Sequence, residues 1–214
     1  MNGDFLFLMF FLVQFLGMIL IRSYYGLKSP DRKKSLRELT KSAVEHEGRF
    51  SFILLILVGV FMVSALILYV WYPTLFPWLV LPFPDWLRWI GVIIGFISLL
   101  LLWWIHSTLG LAFSKTLTLQ KRQKVVVDGP YRRVRHPMYT AFLIYFLSWF
   151  LISTNLLFII VWFLFFVTLV ARMPTEEEML ITQFGDEYRE YIKRTGRLFP
   201  PLRKKDDSNN TDQE

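Results

Sequence analysis

The chain has 214 residues, 54% of them hydrophobic and 18% aromatic, and its 24 Lys and Arg against 17 Asp and Glu leave a net charge of +7. So much apolar material in so short a chain excludes an ordinary soluble domain and leaves room for one compact membrane bundle. The absence of cysteine removes disulfides, thiolate metal sites and cysteine nucleophiles, and no metal site is expected. The surplus of positive charge reads as loop topology and attraction to anionic lipid rather than to nucleic acid.

The first apolar run, Phe5 to Ile21 within a span expected at about 5–22, is interrupted only by Gln14 and Gly17 and meets the lower limit of ~17 residues for a spanning helix. Arg22, Tyr24 and Tyr25 follow in place of a small-residue cleavage site, so this span is expected to stay uncleaved. Residues 28–49 carry both charges, with Ser35-Leu36-Arg37-Glu38-Leu39 helical in character. They are expected to form an interfacial or cytoplasmic helix and loop, with His46 solvated. Residues 50–72 are the clearest span, closed by Trp71 and Tyr72 as an aromatic anchor before Pro73. Prolines at 73, 77, 82 and 84 mark the next connector as a loop in the outer interface.

The third span is expected at 86–111. A polar, basic connector follows and closes on the turn signal Asp128-Gly129. From Met138 to Val170 the chain is apolar, too long for one ordinary span, and Ser153-Thr154-Asn155 divides it. Two short spans in a tight hairpin, 138–152 and 156–171, are therefore predicted. Pro174 is expected to open a last helix, 174–194, with Glu176, Glu177 and Glu178 in its first turns, where carboxylates complement the helix dipole. Leu180, Phe184, Tyr188 and Tyr191 give that helix an apolar stripe. Residues 203–214 form a charged tail expected to be disordered, and the ending Thr211-Asp212-Gln213-Glu214 carries no prenylation signal.

The resulting fold class is an all-α integral membrane protein of about five spans, with a C-terminal amphipathic helix on the cytoplasmic side. Residues 1–200 read as one domain. Lys and Arg occur eight times from Arg22 to Arg49, seven times from Lys115 to Arg135 and eight times from Arg172 onward, whereas Arg88 alone borders the proline loop. Basic loops stay in the cytoplasm, and five spans put all three basic segments there, with the N-terminus outside and the C-terminus inside. The membrane would be the cell membrane in a prokaryote and the endoplasmic reticulum in a eukaryote.

The densest chemistry lies in Gly129-Pro130-Tyr131-Arg132-Arg133-Val134-Arg135-His136-Pro137-Met138-Tyr139, at the edge of the fourth span. Pro130 and Pro137 bracket a loop or single turn. The hairpin should return Arg172 and Glu176 to Glu178 beside it, so that both signs of charge meet at one depth. Such a cluster can hold a zwitterion, hold only itself, or bind lipid headgroups. Arg133 and Arg135 can equally be positive-inside residues, and Glu178 a structural first-turn acid. His106, within the third span, is either a functional group or an interhelical hydrogen-bonding one.

Those eleven residues, followed by Glu176-Glu177-Glu178, Phe184-Gly185, Tyr188 and Arg197-Leu198-Phe199-Pro200, resemble the isoprenylcysteine carboxyl methyltransferase family of membrane enzymes, closest to its small prokaryotic-type members. The resemblance covers roughly Leu109 to Pro200. It implies S-adenosylmethionine as methyl donor and an amphiphilic or prenylated acceptor entering from the bilayer. It also implies that Arg135, His136 and Tyr139 contact the donor, that Glu177 accepts from its ammonium group, and that Tyr131 borders the adenosine. A carboxylate acceptor is already ionised at neutral pH and needs only an orienting cation, for which Arg172 is expected, with Glu176 fixing that arginine. An amine acceptor, as in a phospholipid N-methyltransferase, needs a base, and Glu176 can serve. A nicotinamide-dependent sterol-type reductase and a non-enzymatic lipid-binding protein are the remaining alternatives.

Overall fold

The computed structural model describes residues 3–29, 35, 37, 38, 40, 41, 44, 49–72, 77–110 and 125–201. Among them the continuous α-helices follow in order as α1 (Gly3–Lys28), α2 (Arg49–Trp71), α3 (Asp85–Leu109), α4 (Pro137–Ser153), α5 (Leu156–Phe184) and α6 (Asp186–Arg194), and residues 37, 38, 40, 41 and 44 are helical too. Only two isolated β-bridges occur among the described residues, so the fold is helical, as expected. Most of the 28–49 segment, including His46, lies outside the described residues, as do positions 111–124 and the tail 203–214. Within the first of these, Ser35 and Glu38 form a reciprocal capping box, each backbone N–H bonding the other's side chain at 2.8 and 3.2 Å.

Helices α1, α2, α3 and α5 are each long and apolar enough to cross a membrane, and the chain is an integral membrane protein. Helix α4 has 17 residues, about 25 Å at ~1.5 Å per residue, and falls short of a ~30 Å hydrocarbon core. Its apolarity serves protein packing instead: Tyr145, Trp149 and Ile152 are completely buried. The rings of Phe11 on α1 and Phe158 on α5 lie 4.9 and 5.9 Å from Trp149, and Tyr69 of α2 completes the aromatic core, 5.4 Å from Phe158. Thr154, at φ 56°, closes the hairpin between α4 and α5, and Asn155 caps α5 by accepting from Leu157 N–H at 2.9 Å.

Two polar contacts inside the bundle fix α1 against α3. Gln14 donates to the Val92 carbonyl at 2.9 Å. Gly95 makes that approach possible, because a Cβ there would stand 2.1 Å from Gln14 Oε1. At the far end Arg88 is buried. It donates to the Ile152 carbonyl at 3.1 Å and to Asp4 at 2.7 Å, and stacks over Phe7 at 3.9 Å. One guanidinium thereby ties α1, α3 and α4 together at the end opposite the site.

One expectation is corrected. Pro174 does not open a helix; α5 runs through it to Phe184. A proline inside a helix forfeits one backbone hydrogen bond, here the one to the Val170 carbonyl. The residues around it are nevertheless anchored: Met173 packs on Leu143 and Leu169, and Glu177 is buried. The break falls instead at Gly185, whose φ of 57° suits glycine and turns the chain into α6. The apolar stretch of α5 ends at Ala171, so its last three turns project beyond the apolar stretch.

Candidate active site

The site begins with a glycine. Gly129 has φ 54° and packs so closely on the end of α3 that a Cβ would lie 2.8 Å from Thr108 Oγ1. The short 3-10 turn Gly129–Arg132 follows and delivers the chain to Pro137, the first residue of α4, where its missing N–H is no loss.

The C-terminal segment holds this loop from the side. Arg135 N–H donates to the Gly196 carbonyl at 2.8 Å, His136 N–H to the Arg197 carbonyl at 3.0 Å, and Gly196 N–H to the Arg133 carbonyl at 3.0 Å. Thr140 Oγ1 donates to the Leu198 carbonyl at 2.6 Å. Tyr191 O–H, from α6, donates to the Tyr131 carbonyl at 2.6 Å. These contacts join stretches about sixty residues apart in sequence, so loop and tail form one wall.

Glu177 is the electrostatic centre of that wall. One carboxylate oxygen accepts from Arg135 Nε at 2.9 Å and shares a hydrogen bond with His136 Nε2 at 3.2 Å; the other accepts from Arg197 Nε and Nη2 at 3.2 and 3.0 Å. The Glu177 and Arg135 side chains are only 7% and 8% exposed, whereas that of Arg197 is 55% exposed. Arg135 also donates through Nη1 to the carbonyls of Ile192 and Thr195 at the C-terminal end of α6. A cation is favoured there because those carbonyls lack helical partners.

Arg135 and Glu177, both expected as ligand contacts, are thus joined to each other and, through Glu177, to His136 and Arg197.

Glu176, the neighbouring acid, is less committed. Its side chain is 24% exposed, accepts from Tyr139 O–H at 2.6 Å and has His136 Nδ1 at 3.6 Å. The His136 and Tyr139 rings stack with centroids 5.2 Å apart. His136, Tyr139, Glu176 and Glu177 are thus brought together as expected from the hairpin. Tyr131 joins them, packing against the core and feeling the charge of Glu176. Burial pushes the Tyr131 hydroxyl well above its ordinary range, reinforced by Glu176 and Tyr191, and raises Tyr191 to about 12. Arg172 lies one helical turn from Glu176 toward the bilayer, half-buried.

Arg197 is the contributor that sequence reasoning left without a role, although it stands first in the Arg197-Leu198-Phe199-Pro200 motif; its meaning required knowing that residues 195–198 fold back on 133–140. Arg22 and Tyr25 of α1 were likewise missed. The Tyr25 ring lies tilted against the completely buried His106, centroids 5.1 Å apart, and His106 Nδ1 lies 2.7 Å from the Leu102 carbonyl one turn back.

A helical bundle that carries a two-signed charge cluster at one end, built from a Gly-Pro-Tyr/Arg-His-Pro loop and a glutamate-bearing helix, defines a membrane-embedded protein with a candidate site at that end. Residues 86–187, just under half of the chain, match the phospholipid methyltransferase family model. The chain is also similar to the protein-S-isoprenylcysteine O-methyltransferase of Schizosaccharomyces pombe, 39% identical over 92 residues, which covers 40% of this chain and 37% of that protein. The match thus spans little more than a third of that curated relative.

Proposed function

We propose that the chain is a membrane methyltransferase that uses S-adenosylmethionine to methylate an amphiphilic acceptor entering from the bilayer. The observation that carries this reading is the pair of incompletely used, oppositely charged groups on one wall. Glu176 keeps one carboxylate oxygen without a hydrogen bond among the described residues, and the Arg197 guanidinium is half exposed. S-adenosylmethionine presents an ammonium, a sulfonium and a carboxylate, so a site must offer both signs, and this wall does. The bound donor supplies a methyl group on a cationic sulfur.

Around it, Glu176 accepts from the ammonium, and the stacked His136 and Tyr139 border the amino-acid end. Tyr131 lines the adenosine side. Arg135 and Glu177 hold these groups in place from behind. Arg172, one turn deeper, orients the acceptor. Methyl transfer asks the protein mainly for alignment and exclusion of water, which suits a buried wall with few mobile parts. Residues 1–200 act as one unit, and the basic end of the bundle faces the cytoplasm. The family's own description favours a phospholipid acceptor as the second reading, in which Glu176 serves as base for an amine.

Calorimetric titration of the detergent-purified protein with S-adenosylhomocysteine, beside NADPH, tests the reading. Binding of S-adenosylhomocysteine alone, weakened at least tenfold by Tyr139→Phe or Glu176→Gln, supports it. Binding of NADPH alone, or of neither by a folded protein, overturns it.

A further inference from the structure

The fold-back that follows α6 does more than close the charged wall. Arg197 reaches Glu177, but Leu198, directly after it, packs against the cluster of Leu143, Leu169 and Met173. Leu143 lies within α4, and Leu169 lies within the apolar stretch of α5 that ends at Ala171. The chain that leaves the polar helix α6 has therefore come back to the depth of the spanning helices.

A tight turn fixes what comes next. The Phe199 carbonyl oxygen lies so close over Gly196 that a Cβ there would collide with it, so this turn admits no side chain at position 196. Thr140 Oγ1 donates to the Leu198 carbonyl at 2.6 Å and ties the turn to the first turn of α4. Phe199 precedes Pro200 and Pro201, and a residue before proline is held extended. The result is a stiff loop that presents the Phe199 side chain 70% exposed. Among the described residues, every other large apolar side chain that is exposed belongs to a spanning helix or to the connector 72–84.

A phenyl ring left in water is disfavoured, and a preformed loop loses little conformational freedom when its apolar tip is buried. At the depth of Leu169 the medium beside the protein is the margin of the acyl chains. In the sequence Phe199 stands between Arg197 and Arg203-Lys204-Lys205. An apolar centre with basic residues on both sides is the pattern of a segment that lies in the interface of an anionic bilayer.

We infer that residues 198–201 form a clip that enters the edge of the bilayer, with Phe199 seated among lipid acyl chains, and that the lipid thereby holds residues 195–198 against the loop 133–140. The partner of this surface is the lipid itself. Nothing in the inference depends on the methyltransferase reading, because it concerns how the wall is attached and not what the wall binds.

The chain contains no cysteine, so single-cysteine reporters can be placed in the full protein, in nanodiscs of phosphatidylcholine and phosphatidylglycerol that hold one copy each. A bimane label at Phe199→Cys is compared with labels at Glu190→Cys, exposed on α6, and at Val170→Cys, exposed on α5. The label at 199 should be quenched by nitroxide-bearing lipid at least half as strongly as the label at 170, and by aqueous iodide at least threefold less than the label at 190. In parallel, hydrogen exchange is followed at the amides of Arg135, His136 and Gly196, which close the fold-back. Phe199→Asp should exchange there at least fivefold faster than wild type, and Phe199→Leu should stay within twofold, with exchange along α3 and α4 unchanged in both. A label at 199 that iodide reaches and lipid quenchers do not, or unaltered exchange in Phe199→Asp, overturns the inference. Shielding of the label that arises only in discs holding two copies assigns Phe199 to a second copy of the chain and overturns it as well.

Discussion

Neutralising Glu177 by Glu177→Gln tests the claim that the site wall is an electrostatic structure before it is a binding surface. The carboxylate serves three partners of different burial. The Arg135 side chain is 8% exposed, 2.9 Å away, and cannot turn to water; the Arg197 side chain is 55% exposed and can. Removing one member of a buried ion pair costs about 3–5 kcal/mol, whereas exposed pairs are worth about 0–1 kcal/mol. Glutamine keeps one acceptor oxygen, which places the loss near the lower figure, about 3 kcal/mol. For a chain of this size that lowers Tm by roughly 6–12 °C, at about 2–4 °C per kcal/mol. Thermal unfolding followed by tryptophan fluorescence in detergent, on wild type, Glu177→Gln, Arg135→Gln and Arg197→Gln, reads this directly. Arg135→Gln should approach the glutamate variant, and Arg197→Gln should stay within about 4 °C of wild type. A Glu177→Gln protein as stable as wild type would refute the reasoning. Equal losses at Arg135 and Arg197 would do the same to the burial argument.

Two further outcomes follow from the geometry. Gly91→Ala sets a Cβ 2.7 Å from Leu151 Cβ and 3.1 Å from the Ile152 backbone nitrogen. The ~1 kcal/mol that alanine gains over glycine in a helix is outweighed by overpacking of about 1–3 kcal/mol, and the same unfolding assay should show a lower Tm; a rise would mean that α3 and α4 separate freely. In alkaline titration followed by tyrosinate absorbance, Tyr131, Tyr188 and Tyr191 should ionise after the exposed tyrosines, because burial raises all three, Tyr191 to about 12. Their folded values lie above the unfolded value of about 10, so the stability they contribute is complete below that pH and is lost as pH rises through the folded values. Titration of all nine tyrosines in one step near 10, with the protein still folded, would contradict the burial assigned to this wall.

Much of this protein is written in its sequence by itself. Long apolar runs can be satisfied only by helices in lipid, because no water is present to bond the backbone; hydropathy alone therefore located the spans, and Ser153-Thr154-Asn155 marked the hairpin turn. That turn also fixed which charges would meet, since two antiparallel helices with a tight connection must end side by side. What local signals could not decide was continuity and partnership. Pro174 reads as a helix start because it lacks an N–H, yet packing of Met173 and Glu177 on either side carries α5 through it. Arg135 and Glu177 are acceptable ligands by residue type. Only the fold-back of residues 195–198 and the carbonyl end of α6 show that both are already engaged. Arg22 looks like an ordinary positive-inside residue at the end of a span, and its place over the Phe142 ring depends on how α1 lies against α4. The sequence determines each residue's chemistry and each segment's solvent; which charges find one another is a long-range packing outcome, and the tertiary structure alone decides it.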